Sequence, residues 1–174
     1  MSPVAHTGLA VLGWQAGSAP RTWKALALFV LVSNLADVDF LLSFLLGPRP
    51  LFVHQAYTHN LAVVLAASAL LALALPRGKG RLALVLTGLS HLAADAIVID
   101  TLPPVGFRLL FPFSDALLNV GLFPYLVRPP YGAVLSARNA AALALEAALF
   151  VLPVVVVFSR SLRRDLRAKT FLSG

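Results

Sequence analysis

Five apolar blocks, at about residues 4–17, 23–46, 56–75, 82–99 and 139–158, fill most of this chain and are separated by short stretches rich in Pro, Gly or basic residues. Runs of that length exceed what the core of a soluble protein of 174 residues can absorb. Composition agrees, with 59% hydrophobic and 12% charged residues. The expected fold class is all-α, a polytopic transmembrane helical bundle with about 5 membrane helices. The segment 100–138 interleaves prolines with Phe107, Phe111, Phe113, Phe123, Tyr125 and Tyr131. That pattern predicts an interfacial cap of short helices and turns on the outer side, its aromatics forming a belt; a stretch at 115–127 is short for a further span.

Charge sets the expected orientation. Lys and Arg number 14 against 7 Asp and Glu, for a net charge of +7, and the excess sits in short loops and in the tail SRSLRRDLRAK. By the positive-inside rule, the PRGKGR loop at 76–81 and the tail face the cytoplasm. Alternation then sends 23–46 outward, 56–75 inward, 82–99 outward and 139–158 inward, with the N-terminus outside. Residues 1–159 form one membrane domain and 160–174 a basic cytoplasmic tail that anchors on anionic lipid; nucleic acid is not an expected partner. The stretch AGSAP faintly resembles a cleavage site, but no charged region precedes it, so the N-terminus is expected to be mature. The chain has no cysteine, so any metal must be held by nitrogen and oxygen.

Against this background the stretch SNLADVDFLLSFLL, residues 33–46, places two carboxylates in one of the most apolar blocks. An Asp near the centre of a membrane helix costs about 2.5–3.5 kcal/mol on insertion scales, while each Leu, Ile, Phe or Val returns about 0.3–0.6. Something must offset Asp37 and Asp39. Intramembrane carboxylates meet a cation, a proton or a metal, and the histidines supply partners. On the topology above, His6, His54, His59 and His91 all lie at or near outer ends of apolar blocks. Thr87, His91 and Asp95 recur every four residues and share one helix face, so His91 and Asp95 can grip one ion. His54 and His59 are five apart, which puts His54 in a loop and His59 at a first turn. Asp37 and Asp39 diverge by about 200° on a helix, so both coordinate only if the helix is locally unwound; otherwise one binds metal and the other orients a histidine. Ser33, Asn34 and Asp37 form a polar stripe, which favours Asp37 as the inward ligand. All these groups fall at one depth, in the outer half of the bilayer. Glu146 joins them as a general base or extra ligand, or as a structural partner of Arg138 or Asn139. Asp100 and Asp115 fit helix or turn caps better than ligands.

The ordered motifs AHTGLA, LADVDF, HQAYTHN, HLAAD and FPFSD resemble the membrane-bound metal-dependent hydrolase family, also described as LexA-binding, inner-membrane-associated hydrolases. The resemblance spans about residues 5–115 and implies a multi-pass inner-membrane protein. Its metal-dependent hydrolytic site carries over to His6, Asp37, Asp39, His54, His59, His91 and Asp95.

Such a donor set suits one or two divalent ions, zinc best, with manganese or iron compatible. Two ions would clamp the oxygens of an in-line phosphoryl displacement. A site at headgroup depth points to hydrolysis of a phosphoester in a phospholipid or another lipid-linked phosphate, with membrane lipid as both substrate and environment. Asp39 and Glu146 are the expected catalytic groups, and Asn60 and Arg108, Arg128 or Arg138 the expected substrate contacts, since Arg pairs bidentately with phosphate. Two other classes remain: a proton or divalent-cation transporter, and a non-catalytic metal-sensing regulator. A transporter needs access from both faces, whereas the inner halves of the blocks read as Leu, Ala and Val. A single buried His or Asp also serves as a plain interhelical contact.

Overall fold

The computed structural model describes residues 1–47, 54–99, 105–123 and 135–159. Helices start where a Ser, Thr or Asn precedes an apolar run. Ser2 caps α1 (Pro3–Ala16), Thr22 caps α2 (Trp23–Asn34), Asn60 caps α4 (Leu61–Ala72) and Ser136 caps α6 (Ala137–Glu146), each side-chain oxygen accepting an amide of the first turn. Between α2 and α3 (Val38–Leu46) the chain tightens into a 3₁₀ turn, Leu35–Asp37. The helix α5 (Lys79–Ile97) begins without a side-chain cap, and α6 continues through a π-helical turn, Ala147–Val151.

Two antiparallel hairpins, α1–α2 and α4–α5, pack together with α5 touching α1, α2 and α4. Glycine lets the backbones approach: a Cβ on Gly13 would lie 2.1 Å from Thr87 Oγ1, and one on Gly88 would lie 2.1 Å from Ser68 Oγ. At one end the turn after α1 meets the start of α5, with Ala19 against Gly80. Arg21 donates there to the Trp14 and Gln15 carbonyls, and Arg81 donates to those of Leu73 and Leu75. These guanidiniums satisfy carbonyls left over at helix C-termini, where the dipole favours a cation. The adjoining core gathers Trp14, Phe29, Leu75 and Leu84. A second core of Ala36, Val64, Leu92, Ala96 and Phe107 lies toward the opposite end.

The expectation of about five membrane helices is corrected. Among the described residues two helices are long and apolar enough to cross a bilayer, Trp23–Ser43 (21 residues, mean hydropathy 2.0) and Ala137–Ser159 (23 residues, mean hydropathy 2.5). The helices α1 and α4 have 14 and 12 residues, about 21 and 18 Å at 1.5 Å per residue, against a hydrocarbon core of about 30 Å. In the 56–75 block, Asn60 delays the helix and a turn at 73–75 ends it, so apolar length overstated helical length. The helix α5 is long, but Lys79, Arg81, His91 and Asp95 dilute it.

The described part of the aromatic segment, 105–123, holds turns and isolated bridges, Val98 to Phe123 and Phe107 to Leu118, with no helix. It is tied to the bundle by Val120 N to Ala96 O (2.6 Å) and Leu61 N to Leu109 O (2.9 Å). Tyr125, Tyr131, Arg128, Asp100 and the tail 160–174 lie outside the described residues.

Candidate metal centre

The end of the bundle opposite Arg21 and Arg81 gathers the imidazoles and carboxylates. One group comprises Asp37, His59, His91 and Asp95, and a second, sharing His59, comprises Asp39 and His54. His91 and Asp95 come from one face of α5, Asp37 from the end of the 3₁₀ turn, and His59 from the bend just before the cap of α4. Ligand atoms converge tightly. His91 Nε2 is 3.1 Å from His59 Nε2 and 3.1 Å from Asp95 Oδ2. His59 Nε2 lies 3.3 Å from both Asp37 Oδ1 and Asp95 Oδ2, and His91 Nε2 is 3.7 Å from Asp37 Oδ1.

The outer contacts fix which nitrogens carry protons. His91 Nδ1 faces the Ser33 carbonyl oxygen at 2.7 Å, and a carbonyl only accepts, so Nδ1 donates. Thr58 Oγ1 donates to Asp39 Oδ2 at 2.6 Å; its one hydrogen is used, so His59 Nδ1, at 3.0 Å, donates to that hydroxyl. With both rings neutral, the Nε2 lone pairs face each other and two carboxylate oxygens. Four acceptors in that arrangement repel unless a cation or an added proton lies among them. A four-coordinate ion about 2.0–2.1 Å from each donor sets them about 3.3–3.4 Å apart, close to the separations above. The buried cluster thus has the donor chemistry and spacing to hold a metal ion.

Burial gives the centre a direction. The side chains of His59 and Asp95 are 0% and 2% exposed, whereas Asp37 is 18% and His54 33% exposed, so the open edge lies at Asp37 and His54. Phe107, 1% exposed, closes another side with its ring 6.2 Å from His59. His6 is fully buried and stacks on His91 at 3.8 Å and 18°. Its Nε2 is 3.3 Å from Asp95 Oδ1, yet neither ring nitrogen makes an aligned hydrogen bond. An unsatisfied buried polar group costs about 1–3 kcal/mol, so a hydrogen-bond partner is expected beside it. The Met1 nitrogen also contacts Asp95 Oδ1.

Asp39 is 2% exposed and differently employed. It accepts from Phe40 N (2.6 Å), Gln55 N (3.0 Å), Thr58 Oγ1 (2.6 Å) and His54 Nδ1 (3.0 Å). Gln55 adopts a left-handed φ of 67°, a strained conformation for a residue with a Cβ, and its amide meets Asp39. Asp39 thus locks the 54–59 turn onto α3 and orients His59 through Thr58.

Other expected site residues sit elsewhere. Glu146 accepts from the Ser2 amide at 3.2 Å and from the Ser2 hydroxyl, holding α6 to the start of α1 rather than facing the cluster. Asn60 is an N-cap: its Oδ1 accepts from Val63 N at 2.9 Å and its Nδ2 donates to Tyr57 O at 2.5 Å. Arg108 pairs with Asp115, Nε to Oδ1 3.5 Å, and lies over the Phe111 ring. Arg138 is exposed on the first turn of α6, outside the buried cluster. Sequence reasoning did not assign roles to Thr58 or the Ser33 carbonyl. Thr58, a hydroxyl next to a candidate ligand, was detectable; a backbone carbonyl carries no sequence signal.

No curated protein and no solved structure matches this chain. The family model described as YdjM inner membrane protein matches residues 1–164, and the chain belongs to that inner membrane family.

Proposed function

We propose that this protein is a metal-dependent hydrolase that acts on a phosphoester of a phospholipid or other lipid-linked phosphate. The observation that carries the reading is the convergence of two Nε2 lone pairs, their tautomers set by Ser33 and Thr58, with Asp37 and Asp95. Two imidazoles and two carboxylates at these spacings suit zinc, and manganese or iron take the same donors. One ion fits better than two, because His59 Nδ1 and both Asp39 oxygens are already committed to hydrogen bonds. A divalent ion supplies Lewis acidity toward a phosphoryl oxygen and makes nearby water more acidic.

The chain's own residues supply the rest. His91, His59 and Asp95 form the buried floor, and Asp37 faces the open edge where a phosphoester enters. Beside it, His54 Nδ1 is held by Asp39 at 3.0 Å and its Nε2 is 3.9 Å from Asp37 Oδ1. A half-exposed imidazole oriented by a buried carboxylate is suited to take a proton at Nε2 and return it to a leaving oxygen. On the positive-inside rule, the end with Arg21, Arg77 and Arg81 faces the cytoplasm, which sets the cluster at the outer side, in reach of lipid headgroups.

The test is purification in detergent, metal analysis per chain, and release of phosphate or headgroup from phospholipid vesicles. His91→Ala and Asp37→Ala should lose both metal and turnover. His54→Gln should keep the metal and lose about 10²–10⁴-fold in kcat. Tightly held metal with no turnover on any phosphoester would end the hydrolase reading in favour of a transporter or sensor.

A further inference from the structure

The face of the bundle where α1 meets α5 carries an open groove of about 600 Å³. Its floor is backbone and small side chains, because Gly13 lies against Thr87 and Gly17 against Ala83. Leu9 and Leu12 wall it on α1, and Leu82 and Leu86, 61% and 55% exposed, wall it on α5. The two hydroxyls in the lining are committed within α5, Thr87 donating to the Ala83 carbonyl and Ser90 to that of Thr87. The interior therefore suits hydrocarbon and offers no donor to a sugar or a nucleotide base.

One end has a different character. Lys79, the first residue of α5, lines it, and Arg77 is exposed two residues earlier. Neither cation has a carboxylate partner among the described residues: Asp37, Asp39 and Asp95 belong to the cluster, Asp115 pairs with Arg108, and Glu146 holds Ser2. This end is also level with the start of a candidate span. Gly80 packs on Ala19, and four residues after Ala19 comes Trp23, 84% exposed, where the span Trp23–Ser43 begins. Lys79 and Ser90, the two ends of the lining on α5, are eleven residues apart, about 16 Å at 1.5 Å per residue. That is close to half of a hydrocarbon core of about 30 Å, the depth of one leaflet.

We infer that the groove holds one phospholipid of anionic headgroup, the headgroup at Lys79 and Arg77 and one acyl chain lying between α1 and α5. A second copy of this chain, related by a two-fold axis along the groove, would set Lys79 and Arg77 against their own like charges. The groove's charged end is the end of the bundle away from the cluster, so this lipid closes the α1–α5 seam and is not the substrate. The inference stands whether or not the protein is a hydrolase.

The experiment is native mass spectrometry of the full chain in detergent, titrated with phosphatidylglycerol or phosphatidylcholine of the same acyl chains; a photoreactive phosphatidylglycerol locates the site. Wild type should retain one phosphatidylglycerol with at least about fivefold preference, and labels should fall within 9–17 and 79–90. Lys79→Gln should weaken phosphatidylglycerol about fivefold, the worth of one cation at an anionic lipid, and leave phosphatidylcholine unchanged. Ala16→Phe, at an exposed position in the lining, fills the groove and should weaken both lipids and lose the labelling. Lys24→Gln, exposed near the same end but off the groove, should change neither lipid, nor should Arg163→Gln with Arg164→Gln in the tail. Circular dichroism confirms the helices of each variant. The inference is overturned by equal affinity for the two headgroups, by labels elsewhere, by a loss in Lys24→Gln or the tail variant matching that in Lys79→Gln, or by a dimer that covers this face.

Discussion

Replacing Thr58 by Val tests whether the tautomer of His59 is set from outside the cluster. The substitution keeps the branched shape and removes one hydroxyl, which donates to Asp39 at 2.6 Å and lies 3.0 Å from His59 Nδ1. A hydrogen bond to a charged group contributes about 1.5–3 kcal/mol. Part returns if His59 Nδ1, already 3.7 Å from Asp39 Oδ2, swings to bond that carboxylate directly, but the swing turns Nε2 away from Asp37 and Asp95. The net loss in metal binding should be about 1.4–2.8 kcal/mol, a 10- to 100-fold rise in Kd, the usual range for a group that orients a ligand. Competition for zinc against a chromophoric chelator in detergent measures it, with circular dichroism on the same samples to confirm the helices. Thr58→Ser should restore wild-type affinity. A Thr58→Val protein with intact helices and a Kd within threefold of wild type would refute the argument that His59 binds through Nε2.

Three further outcomes follow from the packing. In Gly17→Ala the new Cβ would stand 2.2 Å from the Ala83 Cβ, so α1 and α5 must separate, costing about 1–3 kcal/mol by thermal unfolding in detergent. Glu146→Gln weakens the tie to Ser2 and should lower stability by about 1–2 kcal/mol while metal stoichiometry stays at the wild-type value; loss of metal would restore Glu146 to the site. Zinc flux into proteoliposomes should stay at the protein-free background, because Phe29 and Leu84, both 0% exposed, fill the bundle between the cluster and the basic end; flux above it would favour transport.

The donor set was legible because coordination needs particular side chains at particular spacings. The four-residue step from His91 to Asp95 and the five-residue step from His54 to His59 each admit few geometries, and the structure brings these residues to one end. Helix length was less legible. Apolar runs do not reveal where a cap starts a helix, and Asn60, which looked like a substrate contact, is the residue that starts α4. Glu146 misled for a related reason. Its position along the helix matched the ligands, but the face it occupies is set by α6 docking on Ser2, a contact across 144 residues. Of the arginines proposed for phosphate, Arg108 lies in a loop and Arg138 on the exposed first turn of α6, where sequence gives no register relative to the site.

The pair Asp37 and Asp39 shows why two carboxylates, one buried and one at the open edge, persist in so apolar a segment. Two residues apart on a regular helix, they would point about 200° from each other and could not serve one site. The 3₁₀ turn ends at Asp37 and α3 starts afresh at Val38, so Asp37 reaches His59 and His91 while Asp39 meets the loop that carries His54 and His59. Four donors satisfy Asp39, and at about 1.5–3 kcal/mol each for a charged acceptor they offset its insertion cost of about 2.5–3.5 kcal/mol. Asp37 gains no such set. The imidazoles nearest it point lone pairs at it, their protons held by Thr58 and Ser33 on the far nitrogens. Its charge, at an edge 18% exposed, is met within the cluster by the cation or added proton that those lone pairs call for. The neighbour two residues away, fully bonded, holds the ring that would share that cation.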